Sequence, residues 1–260
     1  MKLIQLFESQ FLTSKEEIEK WLATHRVKDY TINDDLTVDV NGTVALTYVT
    51  VNEIRVQFGK VNGHFLCNNS KITSLKGAPR EVDGDFQCYG NYGLTSLEHC
   101  PLKITGDIDV SNCGLTSLKG VENTECHSFN CGNNKLTSLA FAPKQVSGSF
   151  LCSYNLLTDL KGAPREIAQD FDCSNNKLTS LKGGPKEVGG YFSCDENKFI
   201  NLIGAPRYVG GMFSAEHNAD LVSLEGAPKD VVGFFWIGHN PKLKSLDGIG
   251  NVGELISDLS

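Results

Sequence analysis

Cysteine and histidine are the residues here whose types could support chemistry, and their spacing decides whether they do. The chain holds nine cysteines and six histidines in 260 residues. A zinc centre gathers three or four ligands, commonly from paired cysteines two residues apart, and no CxxC pair occurs. A cysteine nucleophile paired with histidine would have to come from His99-Cys100 or Cys126-His127. Neighbours on an extended chain point opposite ways, so neither pair is placed to exchange a proton, and no orienting third group is visible. Glu196, His217 and His239 fall at the same point of three successive repeats and could converge on one ion. A solvated turn explains them more simply. There is no P-loop, no HExxH and no dinucleotide fingerprint. We therefore expect no enzyme: no catalytic residue, no metal and no cofactor.

The elements that position these residues come from a repeat. Two strong copies are Phe150-Leu-Cys-Ser-Tyr-Asn-Leu-Leu-Thr-Asp-Leu-Lys-Gly-Ala-Pro and Phe171-Asp-Cys-Ser-Asn-Asn-Lys-Leu-Thr-Ser-Leu-Lys-Gly-Gly-Pro. The template is F-x-C-x-x-N-x-L-T-S-L-x-G-A-P-x-x-V-x-G-x. Its first position falls at Phe65, Phe86, Ile108, Phe129, Phe150, Phe171, Phe192, Phe213 and Phe235. The spacing is 21 residues, with two steps of 22, and a degenerate copy starts at Val44. That makes ten coils. Six of the nine cysteines, Cys67, Cys88, Cys131, Cys152, Cys173 and Cys194, share the third position, which is a packing role for a small, reduced hydrophobe.

Each repeated position has a physical reason. F-x-C is a short strand whose alternate side chains point into a core. Asn at the sixth position (Asn91, Asn134, Asn155, Asn176, Asn197, Asn218, Asn240) can hydrogen-bond the backbone of adjacent coils. Leu at the eighth and eleventh positions fills the core. Gly-Ala-Pro turns the chain, because proline forbids a regular helix there. The glycine two residues before most of these starts (Gly63, Gly84, Gly106, Gly148, Gly190, Gly211, Gly233) suits a corner that needs close approach or positive φ. One coil cannot bury its own apolar face, so the coils must stack. At ~4.8 Å per strand, ten coils make a rod roughly 45 Å long.

This string resembles the short leucine-rich repeats of secreted bacterial effectors. More closely, it is similar to the F-x-C-x-x-N-x-LTSL-x-GAP repeat proteins of tailed, T4-like bacteriophages. The match covers residues 42–248, but with one more residue between Val and Phe than the effectors have and with no ubiquitin-ligase domain. The resemblance implies a leucine-rich-repeat-like, mostly β solenoid. Members of the phage group mostly lack a defined biochemical role, so it implies a phage-encoded binder more than any activity.

Three segments are expected: 1–43 as an N-terminal segment with a helix and hairpin cap, 44–248 as the solenoid, and 249–260 as a C-terminal cap or tail. Ser14 with Glu17 forms a capping box ahead of the apolar face Ile18, Trp21 and Leu22. Tyr30–Ile32 and Leu36–Val40 read as a hairpin. Leu6-Phe7-Glu8 resembles a capsid-targeting cleavage site of T4-like phages, which makes an internal or structural virion protein the alternative function. No run of 18 apolar residues exists and the start is too polar for a signal peptide, so no membrane is expected and the location reads as cytoplasmic. A net charge of −7 and a pI near 5.4 argue against a nucleic-acid partner.

What remains is binding of a protein, most simply a host or defence protein that the chain sequesters or inhibits. In this geometry the concave strand face carries the residues flanking the inward strand positions. It holds acidic pairs, Asp107 with Asp109 and Asp170 with Asp172, and an apolar cluster at its C-terminal end. We expect the partner site at Tyr191, Met212, Phe234 and Trp236, with Asp170, Asp172 and Asp195 beside them to steer a basic partner. A tail folded over Phe234 and Trp236 would remove that site.

Overall fold

Each turn of the chain lays down two short parallel strands, one at F-x and one at x-V, and the turns stack in register. The computed structural model describes residues 11–48 and 52–259. The F-x strands run from Val44–Ala45 through Phe65–Leu66 and on to Phe213–Ser214, each pairing with the next so that Phe129 meets Phe150 and Phe150 meets Phe171. The x-V strands form a second ladder from Gln57–Val61 to Tyr208–Val209, interrupted between Gln145–Val146 and Glu166–Ile167. In the tenth coil one continuous strand, Asp230–Trp236, serves both ladders. The molecule is thus a parallel β-solenoid of about ten coils.

The core is a set of columns. Position-1 phenylalanines stack ring on ring, with centroids 5.8 Å apart for Phe150 and Phe171 and 5.5 Å for Phe192 and Phe213. Beside them the leucines of positions 8 and 11 are fully buried through the ninth coil, from Leu75 to Leu224. The asparagine ladder exists. The amide Nδ2 of Asn155 donates to Cys131 O of the previous coil at 3.0 Å and to Cys152 O of its own at 3.2 Å, while its Oδ1 accepts from Leu136 N at 2.9 Å. Asn91, Asn134, Asn176 and Asn197 repeat the amide-donor pattern. Two coils depart from it. Ser70 takes the slot and donates to Leu46 O, and Cys113 takes it with a weak Sγ donor 3.3 Å from Cys88 O.

The six position-3 cysteines are fully buried, and Cys131, Cys152, Cys173 and Cys194 are free thiols. Cys67 and Cys88 are joined by a disulfide, which corrects the expectation that all six are reduced. Parallel register sets the same slot of adjacent coils 4.9 Å apart at Cα here, within the reach of such a bond.

The corner glycines answer one of the two reasons offered for them. A Cβ on Gly211 would lie 2.9 Å from the carbonyl of Gly190, and one on Gly84 2.7 Å from that of Gly63. Close approach of successive coils demands glycine there. Positive φ belongs instead to the Gly of Gly-Ala-Pro, such as Gly162 at 98°.

The two ends differ. At the N-terminal end a helix, Lys15–Thr24, is capped by Ser14, whose side chain accepts from Glu17 N, and it buries Ile18 and Leu22. Strand Tyr30–Ile32 pairs antiparallel with Thr37–Val40, so the hairpin turn falls at Asn33–Leu36. At the C-terminal end residues 249–259 do not fold back. They supply a further parallel strand, Asn251–Ile256, in which Leu255 pairs with Phe235 and Ile256 with Trp236. Leu6-Phe7-Glu8 lies outside the described residues. Among the described residues no helix is long and apolar enough to cross a membrane.

Candidate interaction site on the strand face

The residue before each Phe projects from the strand edge toward the next coil, and through most of the stack it is spoken for. His64 Nδ1 accepts from Asp85 N at 3.0 Å, Asp85 Oδ1 from Asp107 N at 3.0 Å, and Asp107 Oδ1 from Ser128 N at 3.0 Å. Ser128 Oγ accepts from Ser149 N at 3.2 Å, Ser149 Oγ from Asp170 N at 3.2 Å, and Asp170 Oδ1 from Tyr191 N at 3.0 Å. These short side chains satisfy backbone donors at a crowded corner, one per coil.

At Tyr191 this chain of acceptors stops. The next residues in the row are Met212 and Phe234, which have no oxygen to offer. Tyr191 and Met212 are half-buried, and Phe234 is 43% exposed. Register places the three on consecutive coils, since Phe192, Phe213 and Phe235 pair in sequence. Trp236, half-buried, meets Phe234 edge-on with ring centroids 6.3 Å apart. The four apolar residues expected at the site therefore share one end of one face. Trp236 Nε1 is the one buried side-chain nitrogen or oxygen among the described residues without a hydrogen-bond partner. Such orphans are rare and cost about 1–3 kcal/mol. The tail strand runs beside the patch, with Glu254 opposite Phe234 and Ile256 opposite Trp236, and leaves Phe234 exposed.

One exposed neighbour enlarges it. Ile256, 41% exposed, stands beside Trp236 on the added strand. Ile256 was not legible in the sequence, because nothing in residues 249–260 repeats the template closely enough to announce another strand.

The three aspartates have a second occupation. Asp170 holds Tyr191 N, Asp172 Oδ1 accepts from Ser174 N at 2.9 Å, and Asp195 is held by Ser214 Oγ at 2.6 Å, Glu216 N at 2.7 Å and Ser193 Oγ at 3.1 Å. Asp195 belongs to the turn, not to the face. Burial, then Asp172 and Asp170, push the Tyr191 phenol up to about 12.

The other candidates lie elsewhere. Glu196, His217 and His239 each occupy a left-handed turn position, with φ of 52°, 56° and 58°. The imidazoles of His217 and His239 stack with centroids 4.3 Å apart, so their faces meet and their nitrogens do not converge. Among the described residues no group of three or more His, Cys, Asp or Glu is arranged to hold a metal ion. His99 is exposed while Cys100 is buried, as opposite-facing neighbours must be. Cys126 is buried, and His127 Nδ1 lies 3.1 Å from Ser147 Oγ. Burial, then Asp107, pushes the Cys126 thiol up to about 12, and burial raises Cys100 well above the usual thiol range. Neither thiol is primed as a thiolate.

A hollow of about 370 Å³ on the back ladder, lined in part by Lys103, Cys126, His127 and Ser147, has a local cause. Val146 stands four residues before Phe150, but Cys126, its ladder partner, stands only three before Phe129. The corner is one residue short.

No protein-family model, no curated protein and no solved structure matches the chain.

Proposed function

We propose that the chain is a non-catalytic repeat protein that binds another protein through the C-terminal end of its strand face. The observation that carries this reading is the change of occupation along one row. From His64 to Asp170 each side chain caps the next coil's backbone, and from Tyr191 to Phe234 the row is apolar and has no such work. Half-exposed aromatic and methionine side chains gathered on one surface are the composition of an interface core, and the carboxylates beside them suit its polar rim. Asp170 and Asp172 still carry charge that steers a basic partner. On the resemblance to phage-encoded repeat proteins, the partner is a host or defence protein that the chain sequesters or inhibits in the host cytoplasm.

The test is a parallel capture from bacterial lysate with wild-type chain and Trp236→Ala as bait, after their melting temperatures are compared. A protein held by the wild type and lost from an equally stable variant supports the site. The same proteins on both baits would remove it.

A further inference from the structure

The strand Asn251–Ile256 pairs with Asp230–Trp236 on one side and with no strand of the described residues on the other. Up the stack the bonds follow one rule. Position 1 and position 3 donate their N–H groups to the following coil, as Phe192 N does to Met212 O at 2.8 Å and Cys194 N to Ser214 O at 2.9 Å. Position 2 accepts from the preceding coil, as Ile256 does in taking Ile237 N at 2.9 Å. The rule turns the N–H groups of Leu255 and Ser257 away from the stack. The apolar side chains follow suit. Every position-1 phenylalanine beneath another coil is fully buried, whereas Leu255 is only half-buried and Ile256 is 41% exposed. An edge with free donors, flanked by half-covered apolar side chains and continuous with the Phe234–Trp236 patch, is a template for one more strand.

We infer that this edge accepts an extended segment of a partner protein, pairing with Leu255 and Ser257, and that the segment alternates apolar with basic residues. This deepens the function proposed above and rests on it. Charge selects the occupant. Glu254 and Asp258 are exposed on the edge strand and just past it, Asp258 also accepting from His239 N, and Glu216 lies two coils below. A second copy of the chain would bring this acidic rim against itself, on a body already at −7. A strand bearing lysine or arginine at alternate positions meets it with opposite charge while its apolar face continues the column of Phe235 and Leu255.

The probe is a set of blocked hexapeptides, KVKVKV, EVEVEV and the interrupted KVPVKV, titrated against the full chain carrying Trp21→Phe, so that emission reports Trp236 alone. KVKVKV is expected to shift the emission saturably, and the other two are not. Ser257→Pro removes one outward N–H and leaves the bond from Ile237 N to Ile256 O in place, so it should weaken KVKVKV by about tenfold or more. Glu254→Lys, an exposed change that does not threaten the fold, should reverse the preference between KVKVKV and EVEVEV. Equal binding of KVPVKV, or no effect of Ser257→Pro in a variant that melts normally, overturns strand addition. A wild-type dimer that Ser257→Pro converts to monomer overturns the peptide occupant in favour of a second copy. If the captured protein is lost by Trp236→Ala but kept by Ser257→Pro, the apolar patch stands and this inference falls. If Trp236→Ala has no effect on capture, the patch itself falls.

Discussion

The row of residues that precedes each Phe does two jobs along one rod. Between His64 and Asp170 it is built of His, Asp and Ser, each accepting from the next coil's backbone. Between Tyr191 and Phe234 it is apolar, and the last strand of the described residues pairs with one neighbour among them. The same backbone geometry underlies both stretches, since the register is unbroken across them. What differs is whether the side chain is needed by the fold. Where it is, polar composition says little about partners. Where it is not, large apolar side chains at a surface have to be explained by something else.

The comparison breaks first at Trp236. Trp236→Ala is expected to weaken partner binding by about 2 kcal/mol or more, on the scale of an interface anchor. Its effect on unfolding should be about 1 kcal/mol or less, because the change also removes an unpaired buried N–H. Titration calorimetry beside thermal melts separates the two. A large melting loss with unchanged affinity would make Trp236 a packing residue and merge the two stretches into one.

Stability should respond in the opposite region. Asn155→Ala and Asn176→Ala each strand one buried N–H, that of Leu136 or Leu157, and remove one of the two amide donors to each of two carbonyls, so each should cost about 1–3 kcal/mol in urea unfolding and leave binding untouched. Cys113→Asn runs the experiment backwards. It restores the ladder between Asn91 and Asn134, and a gain of about 1 kcal/mol is expected. No gain would mean that Cys113 and its neighbours have settled into another arrangement.

Within the row itself, Asp107→Ala strands Ser128 N and should cost about 1–2 kcal/mol of stability with no binding effect. Met212→Ala, in the same position of a later coil, should do the reverse. Equal stability losses at both would erase the distinction on which the site rests.

How far the sequence carried these points depends on what each residue answers to. Phe, Cys, Asn and Leu recur because every coil meets the same neighbours, so strands, ladder and core were readable from the period. Asp107 and Asp170 looked like surface charge because a carboxylate capping a neighbouring coil has no signature along its own coil. The coil from Ile108 hides two changes under a normal spacing of 21: an extra residue around Gly120–Thr124 and a missing one at His127. They cancel in the period, and only the pairing of Cys126 with Val146 exposes them. The terminal strand was missed because pairing, not composition, makes it a strand.

The finest difference between the two stretches is at Tyr191, where the last acceptor of one meets the first apolar residue of the other. Its N–H is held by Asp170, and its phenol is pushed up to about 12 by burial, then by Asp172 and Asp170. The unfolded chain releases this proton near the ordinary tyrosine value of about 10. Between those two values the unfolded state is the one that has lost the proton, so stability falls as pH rises from about 10 to about 12, and below about 10 Tyr191 contributes no pH dependence. Because the side chain is only half-buried, solvent screening keeps the effect small. Absorbance titration near the phenolate band should show one late phenol that Tyr191→Phe removes. Asp172→Asn should let it ionise earlier, since it takes away one of the charges that oppose the phenolate. If Asp172→Asn leaves the late phenol where it was, burial and Asp170 hold it, and the Asp172 carboxylate does not reach the surface that a partner would touch.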